Sequence, residues 1–390
     1  MRIPRNCVKM RGTENERAGA TLFSLTQPTK ELNTMWSTTP LTELLSIRYP
    51  LIQAGMAGGT TTPELVAAVS RAGGLGTLGA GYLTPDAIRT AIRSIREQTD
   101  RPFAVNLFIP EPYSVDDTQI ADTQRRMAGI RAKLGLPEPQ LPAAFAESYD
   151  AQLAVVLEER VPVFSFTFGL PAPEELAELK RLGIVTIGTA TTTAEAVQLE
   201  QAGVDAITAQ GSEAGGHRGT FAGPHGEALV GTMALVPQAA DAVRVPVIAA
   251  GGIMDGRGVA AALALGAAGA QLGSAFLACD ESGAHPQHKA AVRAAADSGT
   301  SLTRAFSGKP ARGVRNAFMA ELDPAADTLP PYPVQNALTR DIRQAAAKRD
   351  EPAYLSLWAG QAAGLARTGR AEAIVEALVR ETEAVLGRLR

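Results

Sequence analysis

Cysteine is nearly absent: Cys7 and Cys279 are the only two in 390 residues. That excludes a disulfide framework and fits a reducing, cytoplasmic setting. Long hydrophobic runs are missing as well. Stretches such as VPVIAAGGI (245–253) fall far short of the roughly 20 apolar residues that span a bilayer. There is no excess of positive charge. Lys and Arg total 37 against 40 Asp and Glu, a net charge of -3, which argues against nucleic acid or an anionic membrane as partner. Histidine is scarce, with four residues, and no two stand at a zinc-like helical spacing with a carboxylate, so no metal site is expected. Residues 1–40 lack both the apolar core and the cleavage pattern of a secretory signal, and Glu14, Glu16 and Glu31 speak against a transit peptide. They read as a disordered or irregular extension, or as sequence upstream of a start at Met35.

What the chain does have is ordinary globular composition, 45% hydrophobic and 20% charged, and a rhythm. Eight short apolar runs alternate with helical patterns from residue 41 onward: 50–56, 75–81, 103–108, 161–169, 184–190, 206–211, 245–253 and 270–277. They are nearly continuous in apolar and small residues, as buried parallel strands are. Thr62-Pro63-Glu64 and Thr84-Pro85-Asp86 each supply an N-cap, a proline for the first helical position and an acid for the first turn. Asp255 is a further cap. Gly73, Gly183, Gly203 and Gly266 stand where helices end. Eight strand–helix units in series predict an α/β fold of the (β/α)8 TIM-barrel type. A doubly wound open sheet is the alternative, although five or six strands are more usual there.

Two segments interrupt the rhythm. Residues 109–150 form an insertion in the third unit, within a barrel expected over 41–277. Residues 278–340 are expected to make a smaller mixed subdomain over the barrel mouth. Residues 341–390 are read as C-terminal helices closing the barrel, with Ile374, Leu378, Val385 and Leu389 on one stripe of the last.

A barrel of this kind carries its site at the C-terminal ends of its strands. Gln53, Gly55, Met56, Asn106 and Gln210 stand there. So do Gly251 and Gly252 after the seventh strand, and Gln271, Leu272, Gly273 and Ser274 in the eighth. Loops after strands seven and eight are this fold's usual phosphate site, where backbone N–H groups and a helix N-terminus meet the anion. Close packing of glycines is the competing explanation. Gly74, Gly76 and Gly79 spell G-x-G-x-x-G, but they follow a helix and lie in a strand, the wrong context for a dinucleotide fingerprint. The stretch AQGSEAGGHRGTF (209–221) clusters glycines around His217 at the catalytic face. Imidazole titrates near neutrality, which makes His217 the expected general base or hydrogen-bond donor. Glu213 either orients this loop or is a surface acid. Arg218 either steers an anion or pairs with Glu213. His285 and His288, beside a proline, are expected to be solvated.

Seven stretches in order carry a resemblance: QAGMAGG (53–59), NLFIP (106–110), QGSEAGGHRG (210–219), AAGGI (249–253), GAAGAQLGSAFL (266–277), SGKPARG (307–313) and YLSLWAGQ (354–361). From about residue 41 to its end, the chain resembles class I nitronate monooxygenases, which carry FMN on a TIM barrel. The resemblance implies that Asn106, Gln210, Gly215, Gly252 and the run Gln271-Leu272-Gly273-Ser274 hold FMN, with serine where the family usually has threonine. It implies that Met56 lies near the flavin ring and that His217 is catalytic. Tyr332, Lys309 and Tyr113 are candidates for the substrate pocket. The implied reaction is oxidation of alkyl nitronates, such as propionate 3-nitronate, by dioxygen to a carbonyl compound and nitrite. A cationic His217 suits binding of the anionic nitronate, whereas a neutral one suits removal of the α-proton of a nitroalkane. Alternatives are a related FMN barrel acting as an NAD(P)H:quinone reductase or enoyl-ACP reductase, and a barrel that binds a phosphate ligand without redox chemistry. Monomer and homodimer both remain open.

Overall fold

A computed structural model of the protein describes residues 35–389. The extension expected over 1–40 therefore lies outside the described residues up to position 34, as does Cys7. Proline at the first helical position and a Thr39 cap start helix α1, Pro40–Leu45. Its Leu41 and Leu45 plug the bottom of a barrel, against inward-facing Ile52, Leu75, Ala104, Val163, Ile187, Ala206 and Ile248.

The barrel strands are β1 Leu51–Gln53, β2 Gly76–Gly79, β3 Phe103–Phe108, β4 Val163–Thr167, β5 Val185–Ala190 and β6 Ala206–Gln210. After the two-residue strand β7, Gly216–His217, follow β8 Val247–Ala250 and β9 Gly269–Leu272. All eight barrel strands run parallel in the order β1-β9-β8-β6-β5-β4-β3-β2. A parallel bridge between Ile52 and Leu75 closes the ring. The (β/α)8 expectation holds. Leu51, Phe103, Val105, Leu107, Phe164, Phe166, Ile207 and Ala249 point outward into the main apolar cluster. Each large side chain buried there contributes about 1.5–3 kcal/mol.

The helices α2 Pro63–Arg71, α3 Pro85–Gln98, α5 Tyr149–Glu158, α6 Pro173–Arg181, α7 Thr193–Gln201, α8 Thr232–Ala242 and α9 Gly256–Ala264 wrap that outer face, while α4 Asp117–Lys133, in the first insertion, packs elsewhere. Thr62, Thr84 and Asp255 accept from backbone N–H groups of the turns they cap. The expected helix-end glycines 73, 183, 203 and 266 all take positive φ, from 71° to 96°. The eighth run departs from expectation. Its strand ends at Leu272, and Ser274–Leu277 coils as the short helix α10.

Beyond α10 come α11 Pro286–Ala294, strands β10 Thr300–Thr303 and β11 Ala311–Val314, and helices α12 Ala317–Leu322, α13 Val334–Leu338, α14 Arg340–Lys348 and α15 Ala371–Arg388. A second apolar cluster lies here. It joins Ile120, Met127, Ile130 and Leu134 of the first insertion to Phe306, Phe318, Leu322, Ile342 and Leu357. The two interruptions of the sequence thus pack on each other. The segment 341–390 divides: Ile342, Ala346, Tyr354, Leu355 and Leu357 belong to that second cluster, while α15 packs on α2 and α9 of the barrel. Ile374 and Leu378 are buried as expected, but Leu389 is 77% exposed because the last turn runs past the core. No helix among the described residues is long and apolar enough to cross a membrane.

Candidate active site

Side chains alternate along a strand, so each barrel strand sends every second residue inward. Toward the C-terminal ends those positions turn polar: Asn106, Ser165, Thr167, Thr189, Thr208, Gln210 and Gln271 line a cavity of about 730 Å³. That volume suits a cofactor with a small substrate. Asn106 donates to Ser165 Oγ at 3.0 Å. Gln210 donates to the His217 carbonyl at 3.1 Å and accepts from Gly219 N–H at 2.9 Å, so its amide folds the 211–219 loop back over the barrel.

One side of the cavity is built of backbone. Gly55, Met56, Gly215, Gly251, Gly252, Gly273 and Ser274 all line it. Gly251 and Gly252 take φ of 112° and 73°, which only glycine adopts easily. The N–H groups of Gly252, Gly273 and Ser274 have no protein acceptor among the described residues. Such a group of N–H donors is an anion cradle. Ser274 Oγ accepts from Gly360 N–H at 2.9 Å, and Gln361 N–H donates to the Glu213 carbonyl at 2.9 Å. These bonds seat the segment 357–361 on the cradle. A Cβ at Gly215 would stand 2.5 Å from Ala359 C and Gly360 N. Gly215→Ala is therefore expected to push the two segments apart at a cost of about 1–3 kcal/mol. Affinity for the phosphate-bearing ligand should fall at least fivefold by equilibrium dialysis; an unchanged affinity would show that the segments move freely.

His217 lines the same cavity, two residues beyond Gly215. Its strand β7 pairs antiparallel with β11, with His217 opposite Ala311, and Arg218 N–H bonds the Pro310 carbonyl at 2.8 Å. The smaller subdomain thus fixes the histidine's position. The ring packs against Phe168, Tyr332 and Trp358 at centroid distances of 5.8, 5.9 and 5.5 Å. Nε2 lies 2.8 Å from Ser307 Oγ, whose own hydrogen goes to the Lys309 carbonyl at 3.1 Å. We assign the Nε2–H tautomer on that basis, which leaves Nδ1 with its lone pair. Burial, with the positive charges of Lys309 and Arg343 nearby, pushes the imidazole pKa down to about 3. His217 is neutral across the ordinary pH range, which excludes a cationic clamp and leaves the Nδ1 lone pair as an acceptor whose basicity the same burial and charges lower.

A polar-lined barrel mouth, an N–H cradle and a neutral histidine now meet in one cavity. The model of the family described as nitronate monooxygenase matches residues 38–381. The chain belongs to that family. A "probable nitronate monooxygenase" of Staphylococcus aureus (strain Newman) is 44% identical over 353 residues, covering 90% of this chain and 99% of the relative. The corresponding protein of Staphylococcus haemolyticus is 44% identical over 354 residues, with the same coverage. Among solved structures, a nitroalkane oxidase from Streptomyces ansochromogenes superposes with a TM-score of 0.85 at 44% identity, covering 90% of this chain and all of that one (100%). FabK from Thermotoga maritima superposes with a TM-score of 0.73 at 34% identity, covering 90% and 98%. This protein is thus an oxidoreductase of the nitronate monooxygenase family.

Several residues singled out in the sequence of this family member do other work. Gln53 is fully buried; its amide bonds Thr77 N–H at 3.1 Å and the Ala54 and Thr77 carbonyls, closing the seam between β1 and β2. Leu272 points outward into the apolar cluster, since its neighbour Gln271 takes the inward position. Lys309 does not line the cavity. It is buried and paired with Glu111 at 2.7 Å, its ammonium 4.6 Å from the Phe168 ring centroid. Arg218 is also fully buried, its guanidinium donating to the carbonyls of Gly211, Gln210 and Ala228 at 2.6, 2.9 and 3.1 Å. It neither steers an anion nor pairs with Glu213. Glu213 accepts from Thr232 N–H at 2.9 Å, so it orients the loop. Tyr113 is 44% exposed and touches Phe145. Tyr332 reaches the site through its ring contacts with His217 and Phe168. Of the two histidines expected to be solvated, His285 is half-buried and His288 is buried. His285 caps α11, and His288 is buried with Nε2 2.9 Å from the Trp358 carbonyl.

Three contributors were not read from the sequence. Ser307 and Trp358 lie in stretches quoted only for their resemblance, far along the chain from His217. Glu195 is fully buried under the 217–222 loop. Its Thr192-x-x-Glu195 capping box was a legible signal.

Proposed function

We propose that this enzyme binds FMN in the cavity and oxidises aliphatic nitro compounds, as nitronates and as neutral nitroalkanes, with dioxygen. The products are the carbonyl compound and nitrite. The observation that carries the reading is neutral His217, held by Ser307 in the cavity that the N–H cradle also lines. The family membership supports the nitronate chemistry, and the likeness to a nitroalkane oxidase supports acceptance of the neutral form.

The residues present fit FMN. The unpaired N–H groups of Gly252, Gly273 and Ser274 suit its phosphate, and the Ser274 hydroxyl adds a donor. Met56, Asn106 and Gln271 line the remainder of the cavity, where ring edges need hydrogen-bonding partners and an apolar face. Bound there, the flavin supplies the electron acceptor and the reaction with dioxygen. The chain's own part is positional. Phe168, Tyr332 and Trp358 wall off the space beside His217 from water. Nδ1 of His217 takes the α-proton of a nitroalkane, while Nε2–H stays on Ser307. A substrate that arrives already as the nitronate skips this step.

The test is the visible spectrum of the purified, FMN-loaded protein without oxygen. Adding ethyl nitronate is expected to bleach the flavin band, and admitting air to restore it with release of nitrite. Bleaching by NADH but not by nitronate would replace this reading with a pyridine-nucleotide reductase on the same barrel. Failure to retain FMN after reconstitution would remove the cradle argument.

A further inference from the structure

The cavity has a charged corner that the flavin argument leaves unused. Arg343, on α14, lines it beside Tyr82, Asn336 and Arg340. Arg343 forms no salt bridge among the described residues. Its Nε donates to the Thr339 carbonyl at 3.3 Å, and Nη2 donates to Asn336 O at 2.6 Å and Oδ1 at 2.9 Å. These bonds fix one edge of the guanidinium over the end of α13. The other terminal nitrogen, Nη1, has no acceptor among the described residues. The Tyr82 hydroxyl is buried beside its side-chain partner Tyr332, and the positive charges of Arg343 and Arg340 act on it. Arg340 also lines the cavity, exposed and with no side-chain hydrogen-bond or salt-bridge partner among the described residues, whereas three other cations around the site are occupied. Lys309 is paired with Glu111, Arg218 is spent on three carbonyls, and Arg312 donates to the Ser212 carbonyl at 3.0 Å. A half-buried guanidinium with one edge anchored and one edge open is costly in an empty pocket and favourable once an anion completes it.

We propose that Arg343, with the Tyr82 hydroxyl beside it, is the specificity-determining anion site of the substrate end of the cavity, taking a planar pair of oxygens. The oxygens belong either to the nitro group itself or to a carboxylate at the far end of the substrate. The inference deepens the nitro-compound reading, and it selects anionic substrates over neutral ones of the same size.

The test separates binding from turnover. Propionate and nitrite are titrated separately into the FMN-loaded enzyme by calorimetry, with wild type, Arg343→Gln, Arg343→Lys and Tyr82→Phe. At least one probe is expected to bind wild type and to lose tenfold or more in affinity in Arg343→Gln. Arg343→Lys should recover part of the loss, and FMN content should stay unchanged. Loss for propionate alone assigns the site to a carboxylate tail, and loss for nitrite alone assigns it to the nitro group. Tyr82→Phe removes one oxygen without disturbing α13, so it tests the site even if Arg343→Gln folds poorly; a several-fold loss is expected. Equal binding to wild type, Arg343→Gln and Tyr82→Phe, or no binding of either probe to wild type, overturns the proposal. A variant that only melts earlier, with unchanged affinities, reduces Arg343 to a helix cap. If nitronates are not oxidised yet anion binding still depends on Arg343, the site stands and the proposed reaction falls.

Discussion

Replacing His217 by alanine leaves FMN bound and lowers turnover of a neutral nitroalkane by about 10²- to 10⁴-fold, the usual worth of a positioned general base. The N–H groups of Gly252, Gly273 and Ser274, proposed to hold FMN, make no hydrogen bond to the imidazole, so flavin content should match wild type. Turnover of a preformed nitronate should fall much less, because no proton has to be removed. The ratio of the two losses is the diagnostic quantity, measured as oxygen uptake with nitroethane and with ethyl nitronate. Equal losses on both would make His217 a binding residue and remove the base assignment. The pH dependence gives a second check. Burial, Lys309 and Arg343 hold the imidazole pKa near 3. The base form therefore persists as pH falls through 6.5, where an ordinary histidine would protonate, and is lost only near pH 3. An acid limb near pH 6 to 7 that disappears in His217→Ala would show that the site is wetter and less positive than the geometry implies.

Glu195→Ala is expected to be the most damaging substitution to stability away from the cofactor. The carboxylate is fully buried and has no cationic partner among its hydrogen bonds. One oxygen accepts from Thr191 N–H, Thr191 Oγ1 and Thr192 N–H at 2.6, 2.7 and 3.2 Å; the other accepts from Phe221 and Ala222 N–H at 2.7 and 2.8 Å. It thus ties the start of α7 to the far end of the loop that carries His217. Alanine leaves four backbone donors without their acceptor, Thr191 N–H in a buried residue and those of Thr192, Phe221 and Ala222 in part-buried ones. With charged hydrogen bonds worth about 1.5–3 kcal/mol each and partial relaxation, the net loss is about 3–5 kcal/mol. Thermal unfolding should report a Tm lower by roughly 5–15 °C. Glu195→Gln keeps one acceptor oxygen and should recover less than half of that. The loop should also loosen, so the folded fraction of Glu195→Ala should turn over more slowly at 25 °C. A Tm equal to wild type would mean that water or a shifted loop replaces the carboxylate.

The barrel was legible because its signals are local. Eight apolar runs, the threonine and aspartate caps and the helix-end glycines each act within a few residues of themselves, and all appear where the pattern placed them. The cradle was legible for the same reason, since glycines 251 and 252 and the Gly273-Ser274 turn sit at fixed offsets from strand ends. The errors fall where a residue's partner lies far along the chain. Gln53 reads as a site residue because it ends a strand, yet its seam with β2 occupies it. Leu272 reads as part of a binding run, yet the period of two sends it outward.

Sequence alone therefore determined the (β/α)8 architecture and the end of the barrel at which His217 and the loop glycines line one cavity. Tertiary structure decided which charges are available. Lys309, Arg218 and Arg312 are as basic in the sequence as Arg340 and Arg343, but folding gives the first three acceptors, leaves Arg340 without one among the described residues and leaves Arg343 an open edge. The same folding sets the protonation of His217, through burial and two cations more than ninety residues away in the chain. Electrostatic energy depends on distance and desolvation in three dimensions, and neither is written in local order.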